Sequence, residues 1–132
     1  MKSVFLDYST VSVGDLDPGA LQAATPGLVL HEATRQDEVA ERIAGCEIVL
    51  LNKLKLTRDL IVGAKSLRLI ALAATGTNNV DLEAARERCV AVCNIRDYCT
   101  PSVVQHVLGV LLALTHRFAD YSRDAKIGRA HV

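Results

Sequence analysis

A glycine flanked by hydroxyl and amide side chains is the part of this chain best suited to bind an anion. The segment Thr75-Gly76-Thr77-Asn78-Asn79 directly follows an apolar run. Glycine lets the backbone turn sharply and approach a ligand without a Cβ in the way, so consecutive N–H groups can point at one anionic group. The segment therefore predicts an anion site, although a surface turn explains the same residues equally well.

Two other segments carry anion-binding groups without being specific for any ligand. Lys53 and Lys55 follow an apolar run, but exposed lysines before a helix are ordinary. Hydroxyl side chains follow Asp7, yet Gly14 comes too late to form a tight anion-binding turn with them, so a solvated turn is favoured over a phosphate or flavin site. A phospho-acceptor receiver domain is disfavoured because the chain offers only Asp7, Asn52 and Asn94 where paired acids, an aspartate and a lysine are needed.

The elements that position these segments alternate in hydrophobic period. Short runs rich in Val, Ile and Leu predict strands, and each is followed by a stretch with helical spacing. The predicted strands are Ser3–Asp7, Leu28–His31, Glu47–Leu51, Arg68–Ala73 and Val90–Asn94. The predicted helices are Asp17–Ala24, Thr34–Ala44, Thr57–Ala64, Asp81–Arg88 and a long one over Ser102–Tyr121. Thr34, Thr57 and Asp81 are the predicted N-caps, and Gly45 and Gly63 stand near helix ends.

This alternation predicts an α/β fold. Continuously apolar strands are typical of a parallel sheet covered by helices on both faces, and the flavodoxin-like order 2-1-3-4-5 is the simplest arrangement. In such sheets ligands bind beyond the carboxyl ends of the strands, so the residues just after each strand are the informative ones.

Composition narrows the function classes. The 132 residues are 50% hydrophobic and 23% charged, with 15 basic and 15 acidic side chains, which predicts one globular domain and no nucleic acid or membrane partner. Asp7 interrupts the N-terminal apolar run too early for a signal peptide, and Val103–Leu114 is shorter than the ~20 residues of a membrane span, so a cytoplasmic protein is expected.

The cysteines contain no C-x-x-C pair, and we expect buried thiols rather than disulfides or a metal site. They are Cys46, Cys89, Cys93 and Cys99.

Three stretches resemble the D-isomer-specific 2-hydroxyacid dehydrogenases, closest to the glycerate dehydrogenase or hydroxypyruvate reductase branch. Ala73–Ala85 is A-A-T-G-T-N-N-V-D-L-E-A-A, similar to the family pattern A-G-T-G-[VT]-[DN]-N-[IV]-D-L-x-A-A. Arg88–Asn94 is R-C-V-A-V-C-N, where the family has R-G-[IV]-x-V-x-N. Ser102–Leu114 is S-V-V-Q-H-V-L-G-V-L-L-A-L, similar to the helix that begins S-V-A-E-H.

The resemblance implies hydride transfer between NAD or NADP and a small D-2-hydroxy or 2-keto acid, in an enzyme that is a homodimer when complete. It implies that backbone amides of Thr75, Gly76 and Thr77 bind the substrate carboxylate and that Thr75 lies at the nicotinamide. The remaining positions implied on the substrate side are Asn52, Lys53, Leu54 and Tyr98, and Val104 is implied to face the cofactor.

Departures from the family pattern are equally informative. Cys89 replaces a glycine at a helix end, where a left-handed conformation would cost about 1 kcal/mol, and Gln105 replaces a glutamate beside His106. His106 is interpreted as a packed helix residue. The family's glycine-rich phosphate loop and its catalytic Arg, Glu and His follow the long helix and are absent here, so no catalytic residue or metal ligand is predicted in this chain.

The resemblance divides the chain into a substrate-binding domain over 1–101, an interdomain helix over 102–125 and a tail over 126–132. Ile127–Val132 resembles the translation of a sequencing-library adapter, so the tail is expected to be non-native and the gene truncated. A stand-alone flavodoxin-like module that binds a carboxylate without catalysis remains the alternative.

We predict that the 132-residue chain binds NADH only weakly, with a dissociation constant in the millimolar range or higher. The sequence has no Gly-x-Gly-x-x-Gly segment to hold the pyrophosphate, and Thr75 and Val104 supply only edge contacts. Fluorescence titration of NADH measures this affinity, and sub-millimolar binding would contradict the prediction.

Overall fold

The computed structural model describes residues 1–127. Its five strands form one sheet of order β2-β1-β3-β4-β5, and every neighbouring pair is parallel, which confirms the predicted topology. The strands are β1 Ser3–Phe5, β2 Leu28–Leu30, β3 Ile48–Leu51, β4 Leu69–Leu72 and β5 Ala91–Cys93. The helices are α1 Gly19–Ala24, α2 Val39–Ile43, α3 Arg58–Gly63, α4 Leu82–Glu87, α5 Thr100–Thr115 and α6 Phe118–Lys126, with single 3-10 turns at Tyr8–Thr10 and Gln36–Glu38.

One face of the sheet carries the core. The register places Val4, Val49 and Ile70 side by side, and all three are buried. They pack in one cluster with Val39 and Ile43 of α2, and with Ile61 of α3 and Ala84 and Ala85 of α4. These helices therefore cover one face of the sheet with residues at helical spacing, and the loops at its carboxyl ends are held by a rigid scaffold.

The opposite face is less well covered. Ile48 and Leu50 on β3, and Leu69 and Ala71 on β4, are all half-buried. Helix α1 buries none of its residues, because Leu21 is the one large apolar side chain in its sequence. The strands are apolar on both sides, as predicted, but their helical cover within residues 1–127 is uneven.

Some of the predicted helix caps are found at the observed helix ends, and others are not. Asp81 caps α4 by accepting a hydrogen bond from the Ala84 N–H at 2.8 Å, and Gly45 has the left-handed φ of 71° that a glycine permits. The prediction of Thr34 as an N-cap is wrong, because its hydroxyl donates to the Leu6 carbonyl and a 3-10 turn precedes α2. Thr57 occupies the N-cap position of α3 but makes no side-chain cap, and Gly63 is the last residue of α3, at the helix end as predicted.

Within the described residues, 97–127 belong to a second compact unit, separate from Met1–Arg96. The predicted single long helix is instead α5 and α6, bent by 60° at a break where Arg117 has a φ of 52°. The Thr115 hydroxyl donates back to the Leu111 carbonyl at 2.9 Å, a bond that weakens the last turn of α5. No single helix among residues 1–127 has both the length and the apolarity to cross a bilayer; α5 and α6 pass that test only as a bent pair. Residues 128–132 of the predicted tail lie outside the described residues.

The prediction of four buried thiols is only partly right. Cys46 is buried, which raises the pKa of its thiol through desolvation, and Cys99 is half-buried. Cys89 and Cys93 are exposed. Cys89 lies in the turn after α4, and Cys93 lies on the exposed side of β5 at the sheet edge, so an apolar neighbourhood in sequence did not translate into burial.

Replacing Cys89 by glycine is predicted to stabilise the fold. Cys89 has a φ of 54°, which costs a side chain about 1–2 kcal/mol, whereas glycine adds about 0.5–1 kcal/mol of unfolded-state entropy. We expect Cys89→Gly to raise the free energy of unfolding by up to about 1 kcal/mol in urea titrations. The matched Cys93→Gly change in β5 lowers it by about 0.5–1 kcal/mol, and effects of the same sign at both positions would refute the explanation.

The 132-residue chain is predicted to self-associate through α5. This helix has no buried residue, and its apolar side chains are roughly half exposed, including Val107 at 58% and Leu111 at 53%. Light scattering should give a mass above that of a monomer, and Val107→Lys with Leu111→Lys should reduce it. Val13→Lys, at an isolated valine that is 91% exposed, is the control that leaves the mass unchanged. A monodisperse unmodified monomer contradicts the prediction.

Candidate functional site

A buried aspartate after β1 holds the loop after β3. The Asp7 carboxylate accepts N–H bonds from Asn52 at 2.8 Å, Lys53 at 2.6 Å and Leu54 at 3.2 Å. Asp7 is 4% exposed, so these three bonds take the place of water around the buried charge. The interaction fixes residues 52–54 at the carboxyl edge of the sheet.

The loop after β4 holds the same segment from the other side. The Asn79 side-chain amide donates to the carbonyls of Asn52 at 3.2 Å and Leu54 at 2.9 Å. The Asn79 carbonyl accepts from the Leu56 N–H at 2.8 Å, and the Gln36 side chain both donates to and accepts from the Lys55 backbone. The backbone of this loop is therefore largely committed, and its side chains are what it can offer a ligand.

In contrast to the loop after β3, residues 75–77 have N–H groups that are not hydrogen-bonded to protein. Within residues 1–127, the N–H groups of Thr75, Gly76 and Thr77 donate to no protein acceptor. Carbonyls of the same loop are committed: that of Thr75 accepts from the Asn94 side-chain amide at 2.7 Å, and that of Thr77 accepts from the Val80 N–H at 3.1 Å. Thr75 and Gly76 are exposed. Three consecutive free N–H groups at a sheet's carboxyl edge can together bind one anionic group.

Gly76 serves this loop through its size and not through an unusual backbone angle. Its φ lies outside the left-handed region, unlike those of Gly14, Gly27 and Gly45. A Cβ added at Gly76 would lie 3.1 Å from the Asn78 side-chain oxygen, which is exposed and can move. A bare Cα at this position leaves room for a ligand to approach the N–H groups.

A cavity of about 490 Å³ opens at the carboxyl ends of β1, β2 and β3. Its lining includes Lys53, Leu54 and Lys55 from the β3 loop and Ser9 from the β1 loop. The Ser9 hydroxyl is committed to the Glu32 carbonyl. Neither lysine has a carboxylate partner among residues 1–127, so two ammonium groups remain available to a ligand here.

An ion cluster ties α4 to α3. The Arg58 guanidinium lies 2.5 Å from Glu87, 3.6 Å from Glu83 and 3.8 Å from Asp81. Its hydrogen bond to Glu87 lowers the pKa of that carboxyl and raises the pKa of Arg58. Because Asp81 also caps α4, the cluster anchors the C-terminal end of the 75–80 loop.

The structure places five of the predicted site residues after two adjacent strands. Lys53 and Leu54 follow β3 and line the cavity, whereas Thr75, Gly76 and Thr77 follow β4 and are not among its lining residues. Asn52 is 8% exposed, and its side-chain amide donates to the Thr10 hydroxyl at 2.9 Å. Tyr98 and Val104 belong to the second unit, where their side chains are 59% and 51% exposed. The ligand contacts assigned to all of these residues stay predictions.

Sequence inspection gave no site role to three residues that organise the edge. Asp7 and Asn94 were weighed as receiver residues and Asn79 as part of a turn, and Asn79 and Asn94 also lie in the family patterns without an assigned role. Each is a short hydrogen-bonding side chain at or beyond the carboxyl end of a strand, and that position is the signal that could have identified them.

Comparison with known proteins identifies the family of this chain. The family model for the catalytic domain of D-isomer-specific 2-hydroxyacid dehydrogenases matches residues 8–126. The chain belongs to this family. A glycerate dehydrogenase of Methylorubrum extorquens is 38% identical over 92 residues, covering 70% of this chain and 29% of the relative. A hydroxypyruvate reductase of Blautia hydrogenotrophica is 33% identical over 131 residues, covering 98% of this chain and 41% of the relative.

The fold is also similar to that of solved dehydrogenases and reductases. An acyclic imino acid reductase, solved with NADPH and D-Arg, matches with a TM-score of 0.81 at 16% identity, over 100% of this chain and 43% of that one. The D-lactate dehydrogenase of Escherichia coli matches with a TM-score of 0.69 at 22% identity, over 96% of this chain and 40% of that one. The chain thus spans less than half the length of these relatives.

We predict that Gly76→Ala leaves the free energy of unfolding within about 0.5 kcal/mol of the parent, because the backbone angle is unstrained and the nearest neighbour is an exposed side chain. Gly45→Ala, at a φ of 71°, is the contrast and lowers it by about 1 kcal/mol or more. Urea unfolding measures both, and equal losses would show that Gly76 is strained after all.

Proposed function

We propose that this chain is the substrate-binding part of a nicotinamide-dependent D-2-hydroxyacid dehydrogenase that acts on a small substrate of the glycerate or hydroxypyruvate type. The observation that carries the proposal is the row of three free N–H groups at Thr75, Gly76 and Thr77. Family membership and the names of the relatives support the same reaction class. In this proposal the complete enzyme is a homodimer.

The role of this chain's own residues is binding and orientation. The 75–77 amides bind the substrate carboxylate, which fixes the direction in which the 2-carbon points. Lys53 and Leu54 lie beside the rest of the substrate, with the lysine able to pair with a polar substituent. No side chain among residues 1–127 is assigned to proton transfer.

NAD or NADP, when bound, supplies or accepts the hydride at the substrate 2-carbon. The exposed side chain of Thr75 fits a role at the nicotinamide end of such a cofactor, and the 132-residue sequence has no Gly-x-Gly-x-x-Gly segment for its pyrophosphate. The chain's contribution to cofactor binding is therefore limited to the nicotinamide end.

The decisive experiment uses the whole gene product. The reading frame is followed in genomic DNA, the encoded protein is purified, and oxidation of NADH and of NADPH is followed with hydroxypyruvate, glyoxylate and pyruvate. We expect turnover of at least one of these 2-keto acids. A stop codon within this frame, together with carboxylate binding and no turnover, would favour a stand-alone binding module instead.

In the complete enzyme, Gly76→Val should raise KM and lower kcat/KM by at least tenfold, which corresponds to about 1.4 kcal/mol. The branched side chain would stand between the substrate carboxylate and the N–H groups that bind it. Gly63→Ala, inside α3 with open space around its Cα, is the control that keeps parent kinetics. Parent kinetics for Gly76→Val would eliminate the carboxylate role of the loop.

A further inference from the structure

The direction of a backbone N–H is set by the carbonyl of the same peptide unit. In a trans peptide the C=O and N–H bonds point in opposite directions, and residues 1–127 contain no cis peptide bond. A group that holds the Ala74 carbonyl therefore fixes the Thr75 N–H, and one that holds the Thr75 carbonyl fixes the Gly76 N–H. The partners of these two carbonyls decide where the free N–H groups of the loop point.

Both partners come from the end of β5. The Ile95 N–H donates to the Ala74 carbonyl at 3.0 Å, continuing the strand pairing by backbone atoms alone. The Thr75 carbonyl is held differently, by the side-chain amide of Asn94 at 2.7 Å. Parallel pairing of Ala71 with Cys93 brings Asn94 alongside the end of β4, from which its side chain reaches the loop.

We propose that Asn94 is a positioning residue that aims the Gly76 N–H at the bound carboxylate. The inference rests on the proposed function of the 75–77 loop. Asn94 is exposed and adds little buried area, so its hydrogen bond serves the loop's orientation more than the stability of the fold. Its neutral amide can donate to the carbonyl, whereas an aspartate there could only accept and would add a negative charge beside the anion.

The test uses three variants of the full 132-residue chain: Asn94→Ala, Asn94→Asp and the control Gln22→Ala. Gln22 is an exposed amide side chain on α1, and it makes no side-chain hydrogen bond within residues 1–127. The chain is perdeuterated and 15N-labelled so that its amide NMR signals stay observable even if the chain self-associates. Residual dipolar couplings report the direction of the Thr75 and Gly76 N–H bonds without ligand. Titration with pyruvate, and with neutral pyruvamide as the uncharged counterpart, reports carboxylate binding.

We expect Asn94→Ala to change the Gly76 coupling and to weaken pyruvate binding about tenfold, the size of one lost charge-assisted hydrogen bond. Asn94→Asp should weaken it further. All three variants should keep the parent's thermal midpoint within a few degrees, and Gln22→Ala should keep its couplings and its pyruvate affinity.

The outcomes separate this inference from the proposed function. Parent chain that shows no pyruvate-specific shifts at residues 75–77 refutes the carboxylate role, and with it the binding part of the inference. Pyruvate binding by the parent with an unchanged Gly76 coupling or unchanged affinity in Asn94→Ala refutes the positioning role alone. If Asn94→Ala fails to fold, Asn94 is a structural residue and the inference is likewise wrong.

Discussion

The loops at the carboxyl edge of this sheet depend on one buried carboxylate. Asp7 ends the first strand and gathers the N–H groups of three consecutive residues from a segment 45–47 positions later in the chain. A buried carboxylate without such partners is costly, and so is a buried N–H group, such as that of Asn52, without an acceptor. Each side therefore stabilises the other, and the neighbouring loops can form only around this contact.

The loops after β3 and after β4 differ in which of their backbone groups are left unbonded. In the loop after β3, Asp7 accepts from three N–H groups and Asn79 donates to the carbonyls of Asn52 and Leu54, so most of its backbone is already bonded. In the loop after β4 the carbonyls of Ala74, Thr75 and Thr77 are bonded, while the N–H groups of residues 75–77 remain free. One side of the edge thus presents side chains and the adjacent side presents backbone donors. A small acid has a charged end and a variable end, and this division matches the two.

Hydrophobic period predicted the sheet, its order and its parallel pairing because the strands are short apolar runs whose burial does not depend on distant detail. The turns were harder. Thr34 has the residue type of a helix cap, but its hydroxyl donates to the Leu6 carbonyl instead. The break at Arg117 lies within a stretch whose composition favours a continuous helix. At the site, the glycine loop could be found by residue type, whereas Asp7, Asn79 and Asn94 act through partners 15 or more residues away, which local patterns do not encode.

The largely bonded backbone of residues 52–56 has an evolutionary consequence. Since Asp7, Asn79 and Gln36 grip main-chain atoms there, the identities of the side chains at Lys53 and Lys55 contribute almost nothing to holding the loop in place. Mutations at these two positions can accumulate without a folding penalty, while each one alters what the adjoining cavity accepts. The residues that hold the loop are thus different from the residues that face the cavity. Related proteins can diverge in the acids they accept by changing these few exposed side chains.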